Sequence, residues 1–366
     1  MQTDYVYDGA IIELPIILDY ENAKNLLIFT GHNSFLPFKD AFEKKLEGRK
    51  FSYYNDFSTN PKVQEVQKAI DSIDKNFDMI IAIGGGSVID FAKCYKYAND
   101  NGLSAKECFE KSVKVIKKTK MIGIPTTAGT GSEATQFSVI DVDGSKHSLD
   151  DKSILPDYRI VDAEYVKNLP RYLKACCGAD ALCQAIESYW AVKSNEKSKH
   201  YSKRAIALCR DYFEKYVNSD DYFFAEKMSE ASYLSGCAIN ITRTTAAHAI
   251  SYPLTTKFGI PHGHAVALSI AKLTFYNFAN ITQENLNDER GIDYVEATME
   301  QLYGLLQTND IEVYFDKLFN DIGLEMNFKK LGVTNFDEIT NSINLNKLSN
   351  NPVKLSKKFF SDLFQQ

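Results

Sequence analysis

Along the first half of the chain, short apolar runs alternate with stretches whose apolar positions recur at helical spacing. Residues 25–30 (NLLIFT), 50–54, 77–83 (FDMIIAI) and 120–124 (KMIGI) read as strands. Residues 38–46, after a loop over 31–37, and 63–73, after a turn at 59–61, read as helices. Strands separated by helical segments imply βαβ units and a largely parallel sheet. From about Tyr165 the strand signal almost vanishes. Residues 179–192, 198–216 and 225–239 read as long helices, with more toward a polar C-terminal stretch rich in Asn and Lys. The pattern predicts an α/β domain over 1–164 and an all-α domain over 165–366, with the change falling in 162–171.

Two loops of the α/β half carry candidate chemistry. Gly84-Gly85-Gly86-Ser87 follows the 77–83 strand and opens a helix expected over 88–97. Successive glycines let backbone approach a phosphate, and a helix N-terminus offers free N–H groups and a favourable dipole. Ser87 is then an N-cap or a phosphate ligand, and Asp90 falls in the first turn, where an acid suits the dipole. A plain strand–turn–helix connection also needs glycine, but three in a row exceed that need. The run is neither GxGxxG nor Walker A, since no Lys follows it. The second loop, Pro125-Thr126-Thr127-Ala128-Gly129-Thr130-Gly131-Ser132-Glu133, alternates hydroxyls with free N–H groups at the carboxyl end of a strand, where α/β proteins bind ligands.

Composition narrows the class. Of 366 residues, 44% are hydrophobic and 25% charged, the balance of a globular protein. The net charge of −6 argues against nucleic acid as a partner and leaves an anionic small molecule open. Seven cysteines without CxxC or zinc-finger spacing read as reduced thiols. The polar, acidic first nine residues do not read as a signal or transit peptide, and no run approaches a membrane span. A cytoplasmic protein is expected.

In the helical half, Asp180 and Gln184 stand at i and i+4 on one helix face. His248 and His262 lie fourteen residues apart, and of the six histidines three fall in the window ending at His264. Histidine plus carboxylate suits Fe²⁺ or Zn²⁺ with a position left open for substrate.

These four motifs, Gly84–Ser87 with Asp90, Pro125–Glu133, Gly178–Tyr189 and His248–His264, resemble in order the signatures of iron-containing (group III) alcohol dehydrogenases. The resemblance implies a Rossmann-like N-terminal domain and a helical C-terminal domain, the dehydroquinate synthase-like fold, with a catalytic metal in the cleft between them and a homodimer as the common assembly. Carried over residue by residue, it implies that Gly85, Gly86, Ser87 and Asp90 contact the cofactor pyrophosphate. Thr126, Thr127 and Thr130 would line the nicotinamide side, Asn60 the adenosine part and Lys146 the nicotinamide ribose. Asp180, Gln184, His248 and His262 would be the metal ligands.

Two positions depart from the family. Gln184 stands where His is usual, which leaves the metal open among Fe²⁺, Zn²⁺ and Mn²⁺, and Tyr252 stands where many members carry a second reaction-centre His. The implied activity is metal-dependent reduction of an aldehyde to a primary alcohol with NADPH or NADH. Gly31, where members restricted to NADH often have Asp, favours NADPH, with His32 and Asn33 beside it. The pattern around 180–190, 240–248 and 260–264 resembles that of the branch reducing phosphonoacetaldehyde to 2-hydroxyethylphosphonate. Arg243, Lys257 and His264 could form an anion pocket for such a substrate, and the proton would come through water, Tyr252, His264 or the cofactor ribose. Competing expectations are a neutral aldehyde such as lactaldehyde, succinic semialdehyde, a dehydroquinate-synthase-like lyase, and a non-catalytic dinucleotide-binding homologue.

Overall fold

The computed structural model describes residues 3–32, 34–110, 113, 115, 116, 118–343 and 348–364, so Asn33 lies outside the described residues. The chain divides into two compact units, Met1–Asn168 and Leu169–Gln366.

The first unit is built on six parallel strands: β1 (Thr3–Val6), β2 (Asn25–Thr30), β3 (Lys50–Tyr54), β4 (Met79–Gly84), β5 (Lys120–Pro125) and β8 (Tyr158–Val161), in the order β1-β8-β5-β4-β2-β3. Two further strands, β6 (Phe137–Val142) and β7 (Ser145–Asp150), form an antiparallel hairpin. Its turn, Asp143-Gly144, has positive φ at both residues (52° and 84°), as a two-residue hairpin loop with the twist of its strands requires. The central strands are apolar on both faces because helices cover both sides. Ile81 and Ile83 of β4 join one core with Leu26, Ile28, Leu14 and Phe42; Ile80 and Ala82 join the other with Phe29, Val66 and Phe91. The helices of this unit are α1 (Glu13–Tyr20), α2 (Lys39–Lys44), α3 (Val63–Ser72), α4 (Gly86–Asn101) and the single turn α5 (Glu107–Glu110). The expected helix over 38–46 is split: a 3-10 turn at Leu36–Phe38 leads into α2 and shortens it.

The second unit is helical: α6 (Arg171–Trp190), α7 (Glu196–Val217), α8 (Tyr222–Thr242), α9 (Ala246–Phe258), α10 (His262–Ala279), α11 (Ile292–Leu306), α12 (Ile311–Ile322) and α13 (Phe336–Ser342), with a last helix at Lys357–Leu363. α6 is buried nearly all round, from Lys174 to Trp190, as a helix with neighbours on every side must be. α7, α8 and α10 pack on it. Among the described residues, no helix is long and apolar enough to cross a membrane.

Candidate functional site

In the first unit the two loops meet. The Thr126 N–H donates to the Gly84 carbonyl (3.0 Å), so the strand ends of β4 and β5 are tied at the point where both chains turn. A β-carbon on Gly86 would stand 2.7 Å from the Thr130 side chain, and one on Gly84 2.5 Å from Val88. Two of the three glycines are therefore demanded by packing of the loops themselves, and the run is less in excess than its sequence suggested. Gly85, in extended conformation, is the N-cap of α4. The first N–H groups of that helix have no carbonyl a turn behind them and are available to an anion. Thr126 is buried, and its hydroxyl has no hydrogen-bond partner among the described residues. An orphaned buried hydroxyl beside free helix N–H groups fits a ligand's polar group.

Other expected cofactor residues are placed differently. Ser87 is inside α4 and not its cap, and its hydroxyl donates to the Thr59 carbonyl. Asp90 lies beyond the first turn. Its carboxylate is taken up within the unit, accepting from the Ser132 hydroxyl and from the Val139 N–H (3.0 Å). Burial raises its pKa against the pull of Lys93 and Ser132. It fastens the hairpin and second loop to α4, so the expectation that it faces a pyrophosphate is withdrawn. Asn60 and Lys146 come together: the Lys146 ammonium donates to the Asn60 side-chain oxygen (3.2 Å). Thr127 and Thr130 are half-buried on the second loop.

Lys93 and Glu133 were not anticipated. Lys93 is fully buried in α4 and donates to the Ser132 (2.5 Å) and Phe137 (2.8 Å) carbonyls, which anchors the second loop from beneath. Burial brings its pKa down to about 8, and burial pushes Glu133 up to about 7. A lysine and a glutamate in a helix and a loop read as solvent-facing; no spacing marks them as interior.

In the second unit, Asp180, His248 and His262 each offer a ligand atom, and these atoms lie within 4.8 Å of one another. Asp180 comes from α6, His248 from the first turn of α9, and His262 is the first residue of α10. Gly263 allows this: the start of α10 abuts the α6 backbone at Cys176. His248 Nε2 is 3.2 Å and His262 Nε2 3.9 Å from Asp180 Oδ1. The other ring nitrogens have their own partners. His248 Nδ1 meets Glu187, and His262 Nδ1 faces the Ser251 hydroxyl (3.3 Å), which donates to the His248 carbonyl (2.8 Å) and so accepts from the ring. Nε2 is thereby the nitrogen that each ring turns toward Asp180. Burial opposes a charge on His248, but Glu187 and Asp180 outweigh it and push its pKa up to about 10. Burial likewise opposes the Asp180 charge, and His262, His248 and Gln184 overcome it, so its pKa is lowered. Paired imidazoles and a carboxylate of this kind could hold a divalent metal.

Gln184 is buried beside them and hydrogen-bonds Asp180. Its amide oxygen is 3.1 Å from the Ser235 hydroxyl, which also lies 2.9 Å from the Ser232 carbonyl. That hydroxyl can donate to either oxygen. With the amide turned over, its nitrogen can donate to Ser235 and its oxygen faces the cluster, where a cation would satisfy it. The donor set thus fits a metal with Gln184 as a fourth ligand.

The Tyr252 ring stacks on His262 (centroids 5.9 Å, 11° between planes). Arg243, between α8 and α9, has φ 67° and ψ 174°, a strained conformation for a side-chain-bearing residue; one guanidinium N–H donates to the Asn240 carbonyl (2.8 Å). Two expectations are corrected. His264 is buried with both ring nitrogens engaged, by the Tyr172 hydroxyl (2.9 Å) and the Glu325 carbonyl (2.7 Å), and burial lowers its pKa, so it is a neutral structural group and not a proton donor to substrate. Lys257 is exposed and donates to Ser342 of α13 (2.9 Å), which removes it from the anion pocket.

The residue most clearly overlooked is Glu187. Its carboxylate is fully buried between α6 and the start of α9. The signal was present: 180, 184 and 187 fall at i, i+4 and i+7, one face of one helix.

Comparison with known proteins agrees along the whole chain. The family described as iron-containing alcohol dehydrogenase matches residues 3–163, and its C-terminal counterpart matches residues 174–366. Phosphonoacetaldehyde reductase of Streptomyces viridochromogenes is 31% identical over 236 residues, 62% of this chain and 59% of that protein. The chain thus spans less than two thirds of that relative's length. 4-Hydroxybutyrate dehydrogenase of Clostridium kluyveri is 28% identical over 81% of this chain and 78% of its own. The crystal structure of sulfoacetaldehyde reductase from Bifidobacterium kashiwanohense in complex with NAD+ superposes with a TM-score of 0.88 at 26% identity, covering 100% of this chain and 96% of that one.

Proposed function

The chain belongs to the iron-containing alcohol dehydrogenase family, and from that membership we propose that it reduces an anionic aldehyde to a primary alcohol with a reduced nicotinamide dinucleotide and a divalent metal. The observation that carries the reading is the convergence of Asp180, His248 and His262 within 4.8 Å. Asp180, Gln184, His248 and His262 would hold the metal. When bound, such an ion acts as a Lewis acid toward a carbonyl oxygen. Tyr252 delivers the proton that turns the nascent alkoxide into alcohol; its stacking on His262 supports the assignment.

In the first unit, the N–H groups of Gly85, Gly86 and Ser87 bind the pyrophosphate, Thr126, Thr127 and Thr130 line the nicotinamide side, and Asn60 with Lys146 meets the riboses. The dinucleotide is NADPH by preference, with NADH accepted. Gly31 presents no carboxylate to a 2′-phosphate, and a β-carbon there would run into the Ser34 hydroxyl. The family resemblance also supports a homodimer and a cytoplasmic location.

Three relatives named for phosphonate, sulfonate and carboxylate compounds support an anionic substrate. Phosphonoacetaldehyde, giving 2-hydroxyethylphosphonate, is the substrate we favour. A dianion leaving water needs a cationic partner, and Arg243 is the residue for it. The test is kcat/KM for phosphonoacetaldehyde, succinic semialdehyde and lactaldehyde in the wild type and Arg243→Ala. The variant is expected to lose about 10²-fold on the charged aldehydes and less than about threefold on lactaldehyde. An equal loss on all three overturns the anionic reading.

A further inference from the structure

Glu187 uses its two carboxylate oxygens for two different tasks. Oε1 accepts from the Thr245 hydroxyl (2.7 Å), the Ala247 N–H (2.8 Å) and the Thr245 N–H (3.2 Å). Thr245 is the N-cap residue of α9 and supplies no side-chain cap to that helix, so the cap comes from α6. Oε2 meets Nδ1 of His248, two residues into α9. The Thr245 hydroxyl also receives the indole N–H of Trp190 (3.0 Å), one turn along α6 from Glu187. A buried anion is costly unless it is paired and hydrogen-bonded. Here the His248 ring, backbone donors and the positive end of α9 compensate it.

The chemistry of the contact fixes the ring. A carboxylate only accepts, so His248 carries a proton on Nδ1, and Nε2, which faces Asp180 at 3.2 Å, is the nitrogen that would give up its proton to a metal. Through Oε1 the same residue holds the first turn of α9 against α6, the helix that carries Asp180. The Nδ1 proton and the helix position are held by one side chain.

We infer that Glu187 is a positioning residue that presets His248 for a metal, an assignment that rests on the proposed reading of the Asp180–His248–His262 cluster. Outer partners of this kind govern metal affinity over about 10–100-fold. The experiment titrates full-length wild type, Glu187→Gln and Thr245→Val with Zn²⁺ against a fluorescent chelator, and wild type with Fe²⁺ and Mn²⁺ as well. It also records the imidazole ¹⁵N spectrum of zinc-loaded wild type.

Glu187→Gln is expected to weaken zinc binding at least about tenfold. Thr245→Val loses a donor to the same carboxylate but keeps the His248 contact, so it is expected to lower Tm and hold zinc affinity within about twofold of wild type. In the spectrum, His248 is expected to carry its proton on Nδ1 and zinc on Nε2. That spectrum decides the matter even where Glu187→Gln does not fold. Zinc on Nδ1, or wild type and Glu187→Gln of equal affinity, overturns the assignment alone. Wild type that takes up none of Zn²⁺, Fe²⁺ and Mn²⁺ overturns the functional reading together with it.

Discussion

Gly263 lies so close to Asp180 that a β-carbon built on it would stand 2.9 Å from the Asp180 Cβ and collide with the Cys176 carbonyl oxygen. The neighbour is helix backbone, which cannot swing aside as a side chain can. Gly263→Ala is therefore expected to push the start of α10 off α6, at a cost of about 3 kcal/mol, and to carry His262 away from Asp180. Urea unfolding measures the first effect and zinc titration the second. A variant of wild-type stability and affinity would show that this close approach is not what assembles the cluster.

The Gln184 amide can present its nitrogen to Asp180 or its oxygen to a cation, so its role is decided by what replaces it. Gln184→Leu is expected to lower metal affinity about tenfold, and Gln184→His to raise it by a similar factor, because imidazole is the stronger donor. Direct titration with Zn²⁺ and Co²⁺ reads both. Unchanged affinity in the Leu variant would remove Gln184 from the ligand set.

Tyr252→Phe keeps the ring that stacks on His262 and deletes the hydroxyl. The expected result is a kcat lower by about 10²-fold with KM and Tm nearly unchanged. Full activity in the Phe variant would assign the proton to another donor.

Glu133 gives the first unit a pH signature. Its carboxyl keeps a proton up to about 7 in the folded protein and releases it near the ordinary 4.5 when unfolded. The folded state therefore binds more protons across that interval. The contribution is fully present below 4.5 and is lost as pH rises through 7, by something on the order of 3 kcal/mol. Lys93, brought down to about 8, acts in the opposite sense at higher pH: stability recovers from about 8, where the folded ammonium gives up its proton, to the ordinary 10.5, where the unfolded one does. Glu133→Gln should flatten the decline between pH 5 and 7.5 in thermal or urea unfolding. A wild-type profile already flat over that range would contradict the placement.

What the sequence made legible follows from burial. β2 and β3 coincide with the expected 25–30 and 50–54, and β4 and β5 differ by only a residue or two at their ends, because apolar runs bounded by polar residues leave few alternatives. β1 and β8 were not anticipated. Each has four residues, and β8 is interrupted by Arg159, a charge that reads as loop until Asp4 is found opposite it in the parallel register. The β6–β7 hairpin was also missed, although Asp143-Gly144 between alternating strands was its signal.

The candidate cluster was readable for His248 and His262, since histidines are few, and for Asp180 through the motif it stands in. The partners around them were not. Glu187, Ser235 and Ser251 belong to types that usually face water, and only the packed helices show that each is buried against a ring or an amide. His264 failed for the reverse reason: a histidine beside a ligand looks functional, while both its nitrogens are spent within the fold.

The central claim is that this cluster holds a metal on which aldehyde reduction depends. The measurement is NADPH oxidation with phosphonoacetaldehyde by protein stripped of metal and reloaded anaerobically with Fe²⁺, Zn²⁺, Mn²⁺ or nothing. The account predicts turnover that vanishes on stripping and returns with at least one ion. Equal turnover in stripped and reloaded protein, or none with any ion, would contradict it.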